Sequence, residues 1–158
     1  MKTDFLIPHK YRKLGWVLAI LSFALGLIEL MYEIRPQFLD IIMPSIFINN
    51  LFGSFELFGF VEANVWSDLC GISLIIGLIL IAFSKEKKED EYIMKIRLES
   101  LVWAVYVNYA ILILAFIFIY AMSFFWVMTA NMFTILIFFI IRYTIKKNAL
   151  NKDLVDEE

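Results

Sequence analysis

Apolar residues run almost unbroken through four stretches of the chain, residues 14–32, 65–83, 101–122 and 124–141, separated by segments where charge or proline returns. Each run holds close to the 20 or so apolar residues that carry a helix across a bilayer. The last two nearly touch at "AMSFFW". A single helix of about 40 residues would measure about 60 Å, twice the hydrocarbon thickness, so the pattern predicts a tight hairpin near Ser123.

Inside the first run the small and polar residues Gly15, Ala19, Ser22, Gly26 and Glu29 recur at spacings of four and three, and in the second run Trp66, Cys70, Ser73 and Gly77 do the same, with Ser84 a further seven residues on, just past the run. Small side chains let helix backbones approach closely where lipid removes the usual hydrophobic drive. Both stripes, with Gly26 and Gly77 at their centres, are predicted packing faces. The third run continues the pattern from Arg97 through Leu101, Ala104, Asn108, Ile111, Ala115 and Phe118 to Met122. Arg97 and Asn108 therefore share an inward face.

The stretch preceding the third run, "EDEYIMKIRLES", keeps helical periodicity while its charges rise. Glu91, Lys95 and Glu99 stand four residues apart, a self-compensating stripe suited to water. Arg97 lies 200° from Lys95 at 100° per residue, on the other side. The third helix is thus predicted to extend past the membrane, with Arg97 at the mouth of a bundle. There it can meet a carboxylate, helix-end carbonyls or a lipid phosphate, or simply snorkel to the interface.

Residues 33–64 break the pattern. Pro36 and Pro44 interrupt the segment, yet bulky apolar residues recur throughout it. Two readings follow: a cap of short helical or extended pieces lying on the outer membrane interface, or a lid whose apolar side binds a partner or lipid. Acidic residues dominate this side, Glu29, Asp40, Glu56, Glu62 and Asp68 among them. Their spacing matches no cation-binding loop, so a solvated acidic rim is expected rather than a metal site.

Composition supports the membrane reading and narrows the rest. Of 158 residues, 62% are hydrophobic and 17% aromatic, and the mean hydropathy is +0.80, well above soluble domains. Of 14 Lys and Arg, all but Arg35 lie before residue 14, within 84–100, or after 141. The positive-inside tendency then places both termini in the cytoplasm. The first run resembles a signal core but lacks a small-x-small cleavage pattern, and reads as a permanent anchor. The one cysteine, Cys70, excludes an intramolecular disulfide. No cofactor is implied, and the expected surroundings are lipid rather than nucleic acid.

The expected fold is an all-α membrane protein, a four-transmembrane-helix bundle with both termini inside and the third helix extended into the cytoplasm. Its parts are a cytoplasmic N-terminus (1–13), spans 14–32 and 65–83 flanking the outer segment 33–64, a cytoplasmic loop and helix extension (84–100), spans 101–122 and 124–141, and a cytoplasmic tail (142–158). Asn108 and Asn131 need partners in hydrocarbon and are read as interhelical links. Glu29 is an ionisable residue within a span and lies near its outer end.

The runs "FSKEKKEDEYIMKIRLESLVWAVYVNYA" (83–110) and "NMFTILIFFIIR" (131–142) resemble a family of small polytopic bacterial membrane proteins of uncharacterised function. The resemblance covers a third to half of the chain, mostly its second half. It implies four spans in the bacterial inner membrane and no activity. Two functions fit the residues: a non-enzymatic regulator or scaffold that packs against itself or a larger membrane partner, and an oligomeric channel or small-solute transporter. An enzyme acting on lipid would need paired carboxylates, a His/Asp set or a phosphate cradle. The cytoplasmic loop offers none of these.

Overall fold

A computed structural model describes residues 6–32, 34–49, 55–86 and 90–156, with side chains described as far as residue 150 and outside 47–57. The chain is mostly helical. In order it forms α1 (Tyr11–Tyr32), a single 3-10 turn (Gln37–Leu39), β1 (Asp40–Asn49), β2 (Phe55–Asn64), α2 (Trp66–Ala82), α3 (Glu91–Phe118) and α4 (Met122–Asp156). Among the described residues, three helices are long and apolar enough to cross a membrane: α1, α3 and the Met122–Leu150 part of α4. The shorter α2 is 17 residues, or about 26 Å against a hydrocarbon core of about 30 Å.

The all-α expectation fails over residues 40–64. Here β1 and β2 pair antiparallel, Asp40 opposite Asn64 and Asn49 opposite Phe55. Ile41, Ile42, Ile46, Phe58, Phe60 and Val61 are β-branched or aromatic residues that fit a pleated surface. The alternation that would announce a strand is missing because both faces are apolar. Pro44 is tolerated because a two-stranded sheet has only edge strands. Asn64 ties the hairpin base together: its Nδ2 donates to Asp40 Oδ1 (2.7 Å) and to the Pro36 carbonyl (3.0 Å), while its Oδ1 accepts from the Trp66 amide (3.1 Å).

The α3–α4 turn comes two residues earlier than expected. It occupies Ile119, Tyr120 and Ala121, leaving Ser123 inside the first turn of α4. Ala121, immediately before α4, adopts φ 58°, the left-handed region that L side chains rarely visit. Phe116 and Phe124 meet across the turn with ring centroids 4.6 Å apart. Beyond the apolar run α4 continues to Asp156. No Gly or Pro follows Ile141 to interrupt it.

The chain divides into two compact units, residues 17–76 and the combination of 1–16 with 77–158. In the second of these, α1 and α2 make a close backbone approach. A Cβ built on Gly15 would lie 2.8 Å from Leu80 Cβ and 2.9 Å from the Gly77 carbonyl oxygen. Gly77 thus belongs to a tight contact. Gly26 does not, for a Cβ there would meet nothing within 4 Å. Of the two glycines in the expected stripe, the close approach is made at Gly15, three residues after Arg12 on the same helical face.

Candidate functional site

Polar side chains buried in the unit formed by residues 1–16 and 77–158 collect in two places. The larger surrounds Glu86, in the connection between α2 and α3, whose carboxylate is almost wholly buried. Arg12 Nη1 of α1 donates to Oε1 at 2.5 Å, and Lys147 Nζ of α4 donates to Oε2 at 2.7 Å. The Tyr143 hydroxyl, one turn before Lys147, adds a third bond to Oε1 at 3.2 Å. One carboxylate therefore gathers two cations and a phenol from two helices. Burial pushes the Glu86 carboxyl up, but the Lys147 hydrogen bond and the Arg12 charge outweigh it and hold the carboxyl below the ordinary glutamate range.

Arg97 lies beside this cluster. It is buried, its Nη2 donates to the Ser84 carbonyl at 3.2 Å, and its guanidinium sits 5.5 Å from the centre of the Tyr143 ring. Ser84 falls just beyond α2 and is buried, so Arg97 supplies its carbonyl with a donor where water is excluded. Lys95, Glu91 and Glu99 are exposed, as the 200° separation requires. The α4 face opposite is a stack, Phe83 on Phe139 (6.0 Å) and Phe139 on Tyr143 (5.8 Å), which carries an apolar core up to the charges. Arg142, next to Tyr143, packs its guanidinium over Trp103 at 4.5 Å.

The N-terminal segment is stitched to the same connection. Ile7 and Ser84 form a parallel bridge, with the Ile7 amide donating to the Phe83 carbonyl (3.0 Å) and the Lys85 amide to the Ile7 carbonyl (2.8 Å). His9 Nδ1 lies 2.8 Å from the Lys85 carbonyl. A carbonyl can only accept, so Nδ1 carries the hydrogen.

The second cluster joins α3 to α4 near mid-span. Asn108 and Asn131 exchange side-chain amide hydrogen bonds at 3.5 and 3.2 Å. The Thr134 hydroxyl reaches both Asn108 Oδ1 and the Asn131 carbonyl, its single hydrogen serving one at a time. Asn108 stands ten residues before the end of α3, about 15 Å along the helix from the turn. Such bonds in hydrocarbon are worth about 0.6 kcal/mol each. Their role is register, since a slip of α3 against α4 would strand two amides.

The unit of residues 17–76 has its own polar contact. Glu29 accepts from the Ser67 hydroxyl at 2.5 Å and pairs with Arg35 Nε at 3.2 Å. Glu29 is thereby engaged by side chains on either side of the hairpin.

Comparison with protein families, characterised proteins and solved structures finds no match for this chain.

Of the residues singled out from sequence, Arg97, Asn108, Asn131 and Gly77 all fall at contacts in the larger unit, and Glu29 in the smaller. Glu86 escaped notice. It sits in "SKEKKED" among three lysines and two further acids, and nothing in that pattern separates it from its neighbours. Its position three residues beyond the apolar run was the available signal. Among the described residues no group of three or more His, Cys, Asp or Glu side chains is placed to hold a metal ion.

Arg97 and Lys95 are distinguished experimentally by their alanine variants. Arg97→Ala strands the buried Ser84 carbonyl and removes the cation over Tyr143, so a loss of about 2 kcal/mol is expected. Lys95→Ala should stay within about 0.5 kcal/mol of the parent, as surface changes do. Arg97→Lys should recover part of the loss, because a lysine keeps the charge but not the planar fork. Thermal unfolding in matched lipid reads all three; equal losses for the two alanine variants would remove the distinction.

Proposed function

We propose that this chain is a four-span protein of the bacterial inner membrane, both termini cytoplasmic, that acts without catalysis as a regulator or scaffold through helix packing. The observation that carries this reading is how its buried polar groups are used. Arg12, Glu86, Tyr143 and Lys147 satisfy one another, and so do Asn108, Asn131 and Thr134. Groups committed to joining helices are spent on architecture. The broad apolar surfaces of α1, α3 and α4, with Val17, Ile20, Ile113 and Phe125 among their exposed residues, are then available to lipid or to helices of another copy or a larger partner.

Crosslinking in native membranes followed by mass spectrometry tests the scaffold reading. Crosslinks from these helices to a second copy or to another membrane protein are expected; a chain that crosslinks to no protein overturns it. Topology is tested separately in a Cys70→Ser background. A membrane-impermeant maleimide added to intact cells should modify cysteine at Gln37→Cys and spare it at Lys146→Cys. The reverse pattern overturns the orientation.

A further inference from the structure

The two faces of the β1–β2 hairpin differ. Cross-strand partners share a face, as do alternate residues along one strand, so Ile42, Ile46 and Phe60 stand together on one side, with Pro44 between them. These three are between 58% and 76% exposed, whereas Ile41, Met43 and Val61 on the opposite side are between 38% and 44% exposed. Phe58 adopts φ 65°, a costly conformation for a bulky residue.

We infer that this open face is a lipid-docking surface, seated at the headgroup–acyl boundary of the leaflet in which α1 ends. The occupant follows from continuity. Exposed Met31 and Tyr32 at the end of α1 lead through exposed Ile34 and Phe38 to the hairpin within a few residues. Exposed Arg35 and Gln37 interleave with these residues, but β1 begins only eight residues after α1 ends, so the ribbon stays within reach of the surface the span leaves. At the other end Asn64 bonds the hairpin base to the first residue of α2, so the ribbon is anchored where both helices leave the bilayer. A two-stranded ribbon is marginal in water by itself and needs a surface against its apolar face. The interface is the surface within reach, and phenylalanine and isoleucine at that depth bury their side chains among acyl chains while the strand edges stay hydrated. Asp40 and Glu62 lie on the same face near the base and bring negative charge. Docking is therefore driven by apolar contact, and anionic lipid should weaken it.

This inference rests on the membrane reading of α1, and the experiment separates the two. The full-length chain carrying Cys70→Ser is reconstituted in phosphatidylcholine vesicles with a nitroxide at one of Leu21→Cys, Ile42→Cys, Phe60→Cys or Val61→Cys. Collision rates with oxygen, which concentrates in lipid, and with a neutral nickel chelate, which stays in water, are compared for each. The Leu21 label reports the span. Labels at Ile42 and Phe60 should favour oxygen several-fold over nickel, as Leu21 does, and Val61 should favour it less. Two sites on one face keep the test alive should either variant fail to fold. A Phe60 or Ile42 label that favours nickel, one shielded from both reagents as beneath a second protein copy, or a Val61 label more lipid-like than Phe60 overturns the inference while leaving the membrane reading intact. A Leu21 label that favours nickel overturns both.

Discussion

Replacing Glu86 with glutamine should cost about 3 kcal/mol of stability, the largest loss expected from any single polar change in the chain. The carboxylate is almost wholly buried, and Arg12 and Lys147 are mostly buried against it. Removing the anion leaves two cations facing each other with no countercharge, and removing one partner of a buried ion pair costs far more than the pair contributes net. Lys147→Met alone should cost less, since Arg12 still neutralises Glu86. Lys147→Met combined with Glu86→Gln should recover part of the glutamine loss, because one stranded cation is gone. The two changes are therefore non-additive, as changes at contacting residues are.

The same carboxylate sets an acid limit. Its folded-state pKa is depressed below the ordinary value of 4.5, so folding is favoured by ionisation. The contribution is fully present above the unfolded-state pKa and disappears as pH falls through the lower folded-state value. The stability difference between the parent and Glu86→Gln should hold level above about pH 5 and shrink steadily below it. Denaturation in detergent across that range measures it. A difference that persists unchanged at the acid end would mean Glu86 acts through packing, not charge.

How much of this was legible beforehand differs by residue, and for physical reasons. Arg97 could be separated from Lys95 because a helix imposes a fixed angle between them, and a face is a local property of sequence. That Asn108 and Asn131 must each find a partner followed from the cost of an unsatisfied amide in hydrocarbon, but that each is the other's partner was not legible, because it depends on how α3 and α4 align. Glu86 was hidden because its partners are distant in sequence, Arg12 by 74 residues and Lys147 by 61, and local charge patterning carries no trace of them. The hairpin was hidden for a different reason. Strand recognition relies on one face being wet, and a ribbon apolar on both faces reads as an irregular apolar segment. Gly26 shows the limit of a small-residue stripe: the spacing identifies a possible contact face, but the contact forms only where a second backbone comes near.

Gly15 is where that happens, and Gly15→Leu should be correspondingly destructive while Gly26→Leu is nearly silent. At Gly15 even a Cβ falls inside normal contact distance of the Gly77 carbonyl oxygen and of Leu80. One of these is backbone and cannot rotate away. A leucine must push α1 from α2, and overpacking of this kind costs about 3 kcal/mol at the upper end of its usual range. At Gly26 the added side chain enters open space. The effect reaches the charge cluster as well, because Arg12 lies one turn before Gly15 and its reach to Glu86 depends on the spacing of the two helices. Gly15→Leu should therefore lengthen or break the Arg12–Glu86 pair, and adding Arg12→Met to Gly15→Leu should cost less than Arg12→Met costs in the parent. Thermal unfolding of the four proteins in matched lipid closes this cycle. Full additivity would show that helix spacing at Gly15 and the ion pair at Glu86 are independent, and a Gly26→Leu loss equal to that of Gly15→Leu would show that α1 packs through the whole stripe, with Gly26 covered by a helix from outside the chain.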